Sequence, residues 1–72
     1  MTQPDTLSVS INGEPRRVRA GSSIAALVAE FGLDPARVAV ERNLEIVPRS
    51  TLADVAVAEG DAFEIVHFVG GG

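Results

Sequence analysis

The stretch LSVSINGEPRRVRAGSSIAALVAEFG, residues 7–32, changes its hydrophobic period partway along. Leu7, Val9 and Ile11 alternate with Ser8, Ser10 and Asn12, the period-two pattern of a strand with one buried and one wet face. Asn12-Gly13 then suits a type I′ hairpin turn, because both residues tolerate the positive φ that the turn demands. The returning segment, residues 14–19, turns Val18 inward and contains Pro15, which has no N–H for the ladder and so belongs on a sheet edge. From Ile24 onward the spacing becomes helical: Ile24, Leu27, Val28 and Phe31 stand at i, i+3, i+4 and i+7, one amphipathic stripe. Ser22 or Ser23 can accept from an early helical N–H, and Gly32 fits the left-handed position just past the helix end. The stretch predicts a hairpin followed by a helix of roughly two to three turns.

Working outward, Asp34-Pro35 prevents the helix from continuing. Residues 38–41 read as a third strand and residues 45–47 as a short fourth, joined through Asn43-Leu44 and closed by Pro48. The alanine- and valine-rich residues 52–59 fit either a helical turn or a loop, Glu59-Gly60-Asp61 is a turn, and residues 62–69 form the last strand. One helix is available to cover one face of one sheet. A right-handed crossover through it brings the third strand into the sheet of the hairpin. This is the element order of a β-grasp, ubiquitin-like α+β domain with a mixed sheet of about five strands. The expectation is a single domain over residues 1–72, with residues 1–5 a flexible lead and residues 70–72 a flexible functional tail.

Composition narrows the function. A chain of 72 residues buries only about 60% of its unfolded surface. With no cysteine and a single histidine, disulfides, thiol redox chemistry and the common zinc sites are excluded, so no metal is expected. Ten acidic residues against six basic ones give a net charge of −4, and apart from Arg16-Arg17 the basic residues are scattered, which argues against nucleic acid. The amino terminus lacks a signal-peptide pattern and no apolar run approaches membrane-spanning length. A soluble, cytoplasmic protein with no membrane partner is expected. All six basic residues are arginine.

No catalytic residue is expected. His67 is the only imidazole, and beside Phe68 in the last strand it reads as a partly buried sheet residue, while the carboxylates show no paired pattern. The run Gly70-Gly71-Gly72 is no phosphate loop, since no helix follows it. What stands out is the α-carboxylate of Gly72, ionised at neutral pH with a reference pKa of about 3.3–3.7. It is inert until a partner joins it to AMP as a mixed anhydride, and glycine is the residue that passes a narrow channel without a Cβ. Three extended residues reach about 10 Å. Just before them, Val66 and Phe68 alternate with the inward Phe63 and Ile65. Either they form a docking patch on the wet face, or they pack beneath residues 52–59.

The segments VAVERNLEIVPRS (residues 38–50), EGD (59–61) and EIVHFVGGG (64–72) together resemble the ThiS family, the ubiquitin-like sulfur carriers of thiamine biosynthesis. The resemblance runs from Leu7 to the end. It implies that Gly72 is adenylated by an E1-like adenylyltransferase of the ThiF type and converted to a thiocarboxylate. The sulfur comes from a persulfide donor and passes to a thiazole synthase of the ThiG type. Gly70 and Gly71 thread the partner's site, and Val66, Phe68 and Val69 dock against it. No cofactor is bound by the chain itself; the adenylyltransferase uses ATP. Two departures are Leu44, where the family commonly has glycine after the asparagine, and Thr51-Leu52, where an aromatic residue is common. The alternatives are the small subunit of molybdopterin synthase, a ubiquitin-like protein modifier, and a plain β-grasp binding module.

Overall fold

The computed structural model describes residues 5–68; Val69 and the glycines Gly70, Gly71 and Gly72 lie outside the described residues. The elements are β1 (Thr6–Ile11), β2 (Glu14–Arg19), α1 (Ile24–Glu30), β3 (Val38–Arg42), β4 (Glu45–Val47) and β5 (Ala62–His67). Single 3₁₀ turns at Pro35–Arg37 and Arg49–Thr51 flank the β3–β4 hairpin. The strands form one five-stranded sheet in the order β2-β1-β5-β3-β4. β5, last in sequence, is central: it runs parallel to β1 and antiparallel to β3. With helix α1 packed on one face, this is the β-grasp that the order of elements predicts.

The hairpin forms as read. Asn12 and Gly13 take φ of 52° and 84°, and β2 with Pro15 is an edge strand. Val18 is buried and pairs with Leu7. The second hairpin solves the same problem with poorer material. Asn43 takes φ of 52° and Leu44 takes φ of 72°, a conformation in which Cβ crowds the following carbonyl. The turn geometry is retained although the glycine is not, and the Leu44 side chain gains nothing from it, being 89% exposed.

The N–H groups of the first three residues of α1 each have a partner. Ala26 N donates to the Ser23 hydroxyl at 3.0 Å, which settles the choice between Ser22 and Ser23 as cap. Ile24 N donates to the Val55 carbonyl and Ala25 N to the Leu52 carbonyl, both at 2.9 Å. Residues 52–57 are therefore a strap across the helix N-terminus, bound again by Val57 N to the Ser22 carbonyl at 2.9 Å. The strap inserts Leu52 and Val57 into the core beside Ile24, Leu27, Val28 and Phe63. An apolar side chain supplied from a loop closes the end of the core that a helix of 7 residues is too short to cover.

Phe31 departs from the expected stripe. The helix ends at Glu30, and Phe31 is the C-cap with φ −88° and ψ 13°; its N–H still donates to the Leu27 carbonyl at 3.3 Å, but its side chain lies outside the buried core. It is 37% exposed and lies under the Arg16 guanidinium, 5.5 Å from ring centroid to cation. His67, the last residue of β5, is likewise exposed rather than partly buried, although it stands opposite the buried Val38.

Candidate functional site

β5 alternates as its sequence requires. Phe63 and Ile65 face the helix and are buried, whereas Glu64, Val66 and Phe68 face the other way. Val66 is 59% and Phe68 49% exposed. Of the two alternatives for this row, packing beneath residues 52–59 is excluded, since the strap occupies the opposite face with the helix. The outer row of β5 is open.

The neighbouring strands extend it. Val66 pairs with Ala39, Glu64 with Glu41, and Glu41 in turn with Ile46 on β4. Ala39, Glu41, Ile46, Glu64 and Val66 line a shallow groove of about 140 Å³, with Ile46 77% exposed on its outer wall. The β1–β2 side of this face is polar: Arg17 donates to the hydroxyls of Ser8 at 2.9 Å and Thr6 at 2.5 Å. The apolar surface is confined to the half formed by β3, β4 and β5. Alternation along residues 45–47 alone leaves the facing of Ile46 undecided, because a three-residue strand fits either register until its partner on β3 is known.

At the carboxyl end of β5, Phe68 N donates to the Arg37 carbonyl at 2.8 Å, extending the ladder with β3 by one bond. The Arg49 guanidinium stands 6.0 Å from the Phe68 ring centroid, at the outer limit of a cation–π contact. The chain therefore reaches residue 68 held by backbone on one side and by its ring on the other. Val69, Gly70, Gly71 and Gly72 follow outside the described residues.

Two asparagines hold the central strand. Asn12 Nδ2 donates to the Ile65 carbonyl at 3.2 Å and its Oδ1 accepts from Ile65 N at 2.8 Å. Asn43 N donates to the Ala62 carbonyl at 2.8 Å, and Asn43 Oδ1 accepts from Ala62 N at 2.9 Å. Asp61, only 6% exposed, accepts from Asn43 Nδ2 at 3.1 Å and Ala58 N at 2.9 Å, with Arg42 at 3.9 Å. Each positive-φ asparagine uses its side chain as a further rung on β5, beyond the end of its own strand.

Among the described residues no cluster of His, Cys, Asp or Glu could hold a metal, and no helix is long and apolar enough to cross a membrane. What the described surface offers is an open, partly apolar face leading to the end of a firmly held strand.

Comparison with known proteins agrees with that form. Residues 9–72 match the ThiS family. A thiazole synthase of Paramagnetospirillum magneticum is 54% identical over 66 residues, which are 92% of this chain but 20% of that protein. The chain thus spans about a fifth of the length of that relative. The sulfur carrier protein ThiS of Bacillus subtilis is 44% identical over 50 residues, 69% of this chain and 76% of that one. The crystal structure of the thiamine biosynthesis protein ThiS of Geobacter metallireducens superposes with a TM-score of 0.74 at 29% identity, covering 92% of this chain and all of its own. By sequence through its final glycine and by backbone through its central strand, the chain belongs to the ThiS family of small sulfur carriers.

Proposed function

We propose that the protein carries sulfur for thiamine biosynthesis as a thiocarboxylate on Gly72. The observation that supports this reading best is the family match running through residue 72, which takes in the glycine run that follows the central strand. In the first step a Gly72 carboxylate oxygen attacks the α-phosphorus of ATP in an E1-like adenylyltransferase, and pyrophosphate leaves. The acyl-adenylate has a good leaving group where the carboxylate had none. The terminal sulfur of a persulfide then attacks the carbonyl carbon and expels AMP, giving an acyl disulfide. A second thiol attacks the other sulfur of that bond, leaving the thiocarboxylate on Gly72 and a disulfide on the donor side.

The chain's own contribution is delivery. The β5 ladder fixes where residue 68 ends, the open row of Val66 and Phe68 sets the body against the partner, and Val69 continues that contact. Gly70 and Gly71 give the reach, with no Cβ to obstruct a channel. Among sulfur acceptors a thiazole synthase is favoured over the molybdopterin synthase large subunit, because the relative from P. magneticum bears that name.

Incubation with the adenylyltransferase, ATP and a persulfide donor should replace one oxygen by one sulfur, with fragmentation placing the change on Gly72. Removing Gly72 shortens the reach by about 3.3–3.6 Å, and the mass change should vanish while the body still folds. Sulfur found elsewhere, or thiolation of the shortened chain as efficient as that of the parent, would rule the reading out.

A further inference from the structure

Glu41 on β3 and Glu64 on β5 stand directly opposite one another in the antiparallel ladder. Opposed residues hold their Cβ atoms about 4.5–5.5 Å apart, and like charges so placed destabilise a sheet. No ion pair relieves them. Those among the described residues join Arg16 to Glu14, Arg37 to Asp34 and Arg42 to Asp61. Arg42 follows Glu41 in sequence but lies on the helix side, where its guanidinium donates to the Ala56 carbonyl at 3.4 Å. Among the described residues the two adjacent carboxylates have neither an ion pair nor a side-chain hydrogen bond, and they stand on the rim of an apolar groove walled by Ile46 and Val66.

Taking the adenylating enzyme as partner from the carrier reading, we propose that this groove receives an apolar side chain of that enzyme flanked by an arginine or lysine, whose cation sits between Glu41 and Glu64. The apolar walls call for an apolar side chain, since a lone cation would leave Ile46 and Val66 in water. The carboxylate pair calls for positive charge beside it. A second copy of this chain suits the face less well: each copy carries −4, a charge that opposes self-association, and at the far end of the face Arg49 already lies over Phe68. Because carboxylates mark one end of the face and Arg49 the other, a complementary partner fits in one direction only, with the end of β5 pointing where its active site must be.

Titration calorimetry of the parent and of a Glu41→Gln, Glu64→Gln double variant against the purified adenylating enzyme tests this. At low salt the variant should bind on the order of tenfold more weakly. The difference should close near about 1 M salt, where the Debye length is about 3 Å. Its melting temperature should equal or exceed the parent's, because a repulsion has been removed. Equal affinity and equal salt dependence of parent and variant would overturn the groove assignment and leave the carrier reading standing. Failure of the parent itself to bind would overturn both. A lower melting temperature would show the pair to be structural, and a parent dimer abolished in the variant would assign the face to a second copy; either result overturns the proposal.

Discussion

Asn12 bonds Ile65 twice, its side-chain amide closing on both the N–H and the carbonyl of a residue 53 positions away in sequence. Backbone pairing between β1 and β5 covers only Ser10 with Ala62 and Ile11 with Phe63, so the asparagine prolongs a short parallel ladder past the hairpin turn. Asn12→Gly should test this cleanly. Glycine keeps the positive φ but leaves two β5 backbone groups without that partner, and a loss of about 1–3 kcal/mol is expected in urea unfolding. Stability equal to the parent's would mean that the two bonds contribute nothing.

Leu44 offers the opposite experiment. It takes φ of 72° with its side chain 89% exposed, so Leu44→Gly removes strain and forfeits no packing. Left-handed backbone costs a residue with a Cβ about 1–2 kcal/mol, and glycine returns part of that through its freer unfolded chain. A net gain of about 1 kcal/mol is expected, read as a shift in the denaturation midpoint at constant slope.

In the core, Leu27 is fully buried, in one cluster with Phe63 of the sheet and Leu52 of the strap. Leu27→Ala should cost about 2–5 kcal/mol, the transfer loss plus the cavity. A domain of this size has little stability beyond that. Far-ultraviolet circular dichroism would report the loss of structure directly, and an unchanged melting curve would contradict the packing of α1 described above.

Phe68→Asp is expected to weaken binding to the adenylating enzyme while moving the melting temperature little. Half of the Phe68 side chain is in solvent, and its intramolecular partner on the ring face is a single exposed arginine at 6.0 Å. Its backbone bond to the Arg37 carbonyl does not involve the side chain. Calorimetric titration alongside a thermal melt separates the two effects; an unfolded variant would place Phe68 in the core.

Asp61 is the buried acid of the molecule, and its two oxygens hold the Ala58 N–H and the Asn43 amide. Asp61→Ala strands both donors, and a loss of about 1–3 kcal/mol is expected from chemical denaturation. Asp61→Asn, which retains at least one acceptor, should fall between the variant and the parent.

What the sequence discloses here is what local chemistry decides. Asn12-Gly13 fixes a turn through φ, Pro15 an edge through its missing donor, and Ile24, Leu27 and Val28 a buried helical face through spacing. Glu64, Val66 and Phe68 are legible as an outward row for the same reason. The central place of β5 is not local, since it depends on which strands it meets, and neither is the facing of Ile46, which is set by Glu41 across the hairpin. The opposition of Glu41 and Glu64 follows only once the β3–β5 register exists. Phe31 satisfies the helical spacing and still lies outside the core, its ring under Arg16 of the edge strand, a neighbour that spacing along one helix does not reveal. Residues 52–57 carry no periodic pattern, for they act through carbonyls aimed at a helix terminus and through two anchoring side chains.

The centrality of β5 has a mechanical side. A pull directed along the strand axis at the carboxyl end of β5 would load the bonds to β1, to β3 and to both asparagines together in shear. None of them can be peeled open singly from an edge. On the function proposed above, a partner that draws the glycines into a channel would load β5 along its length rather than peel it from an edge.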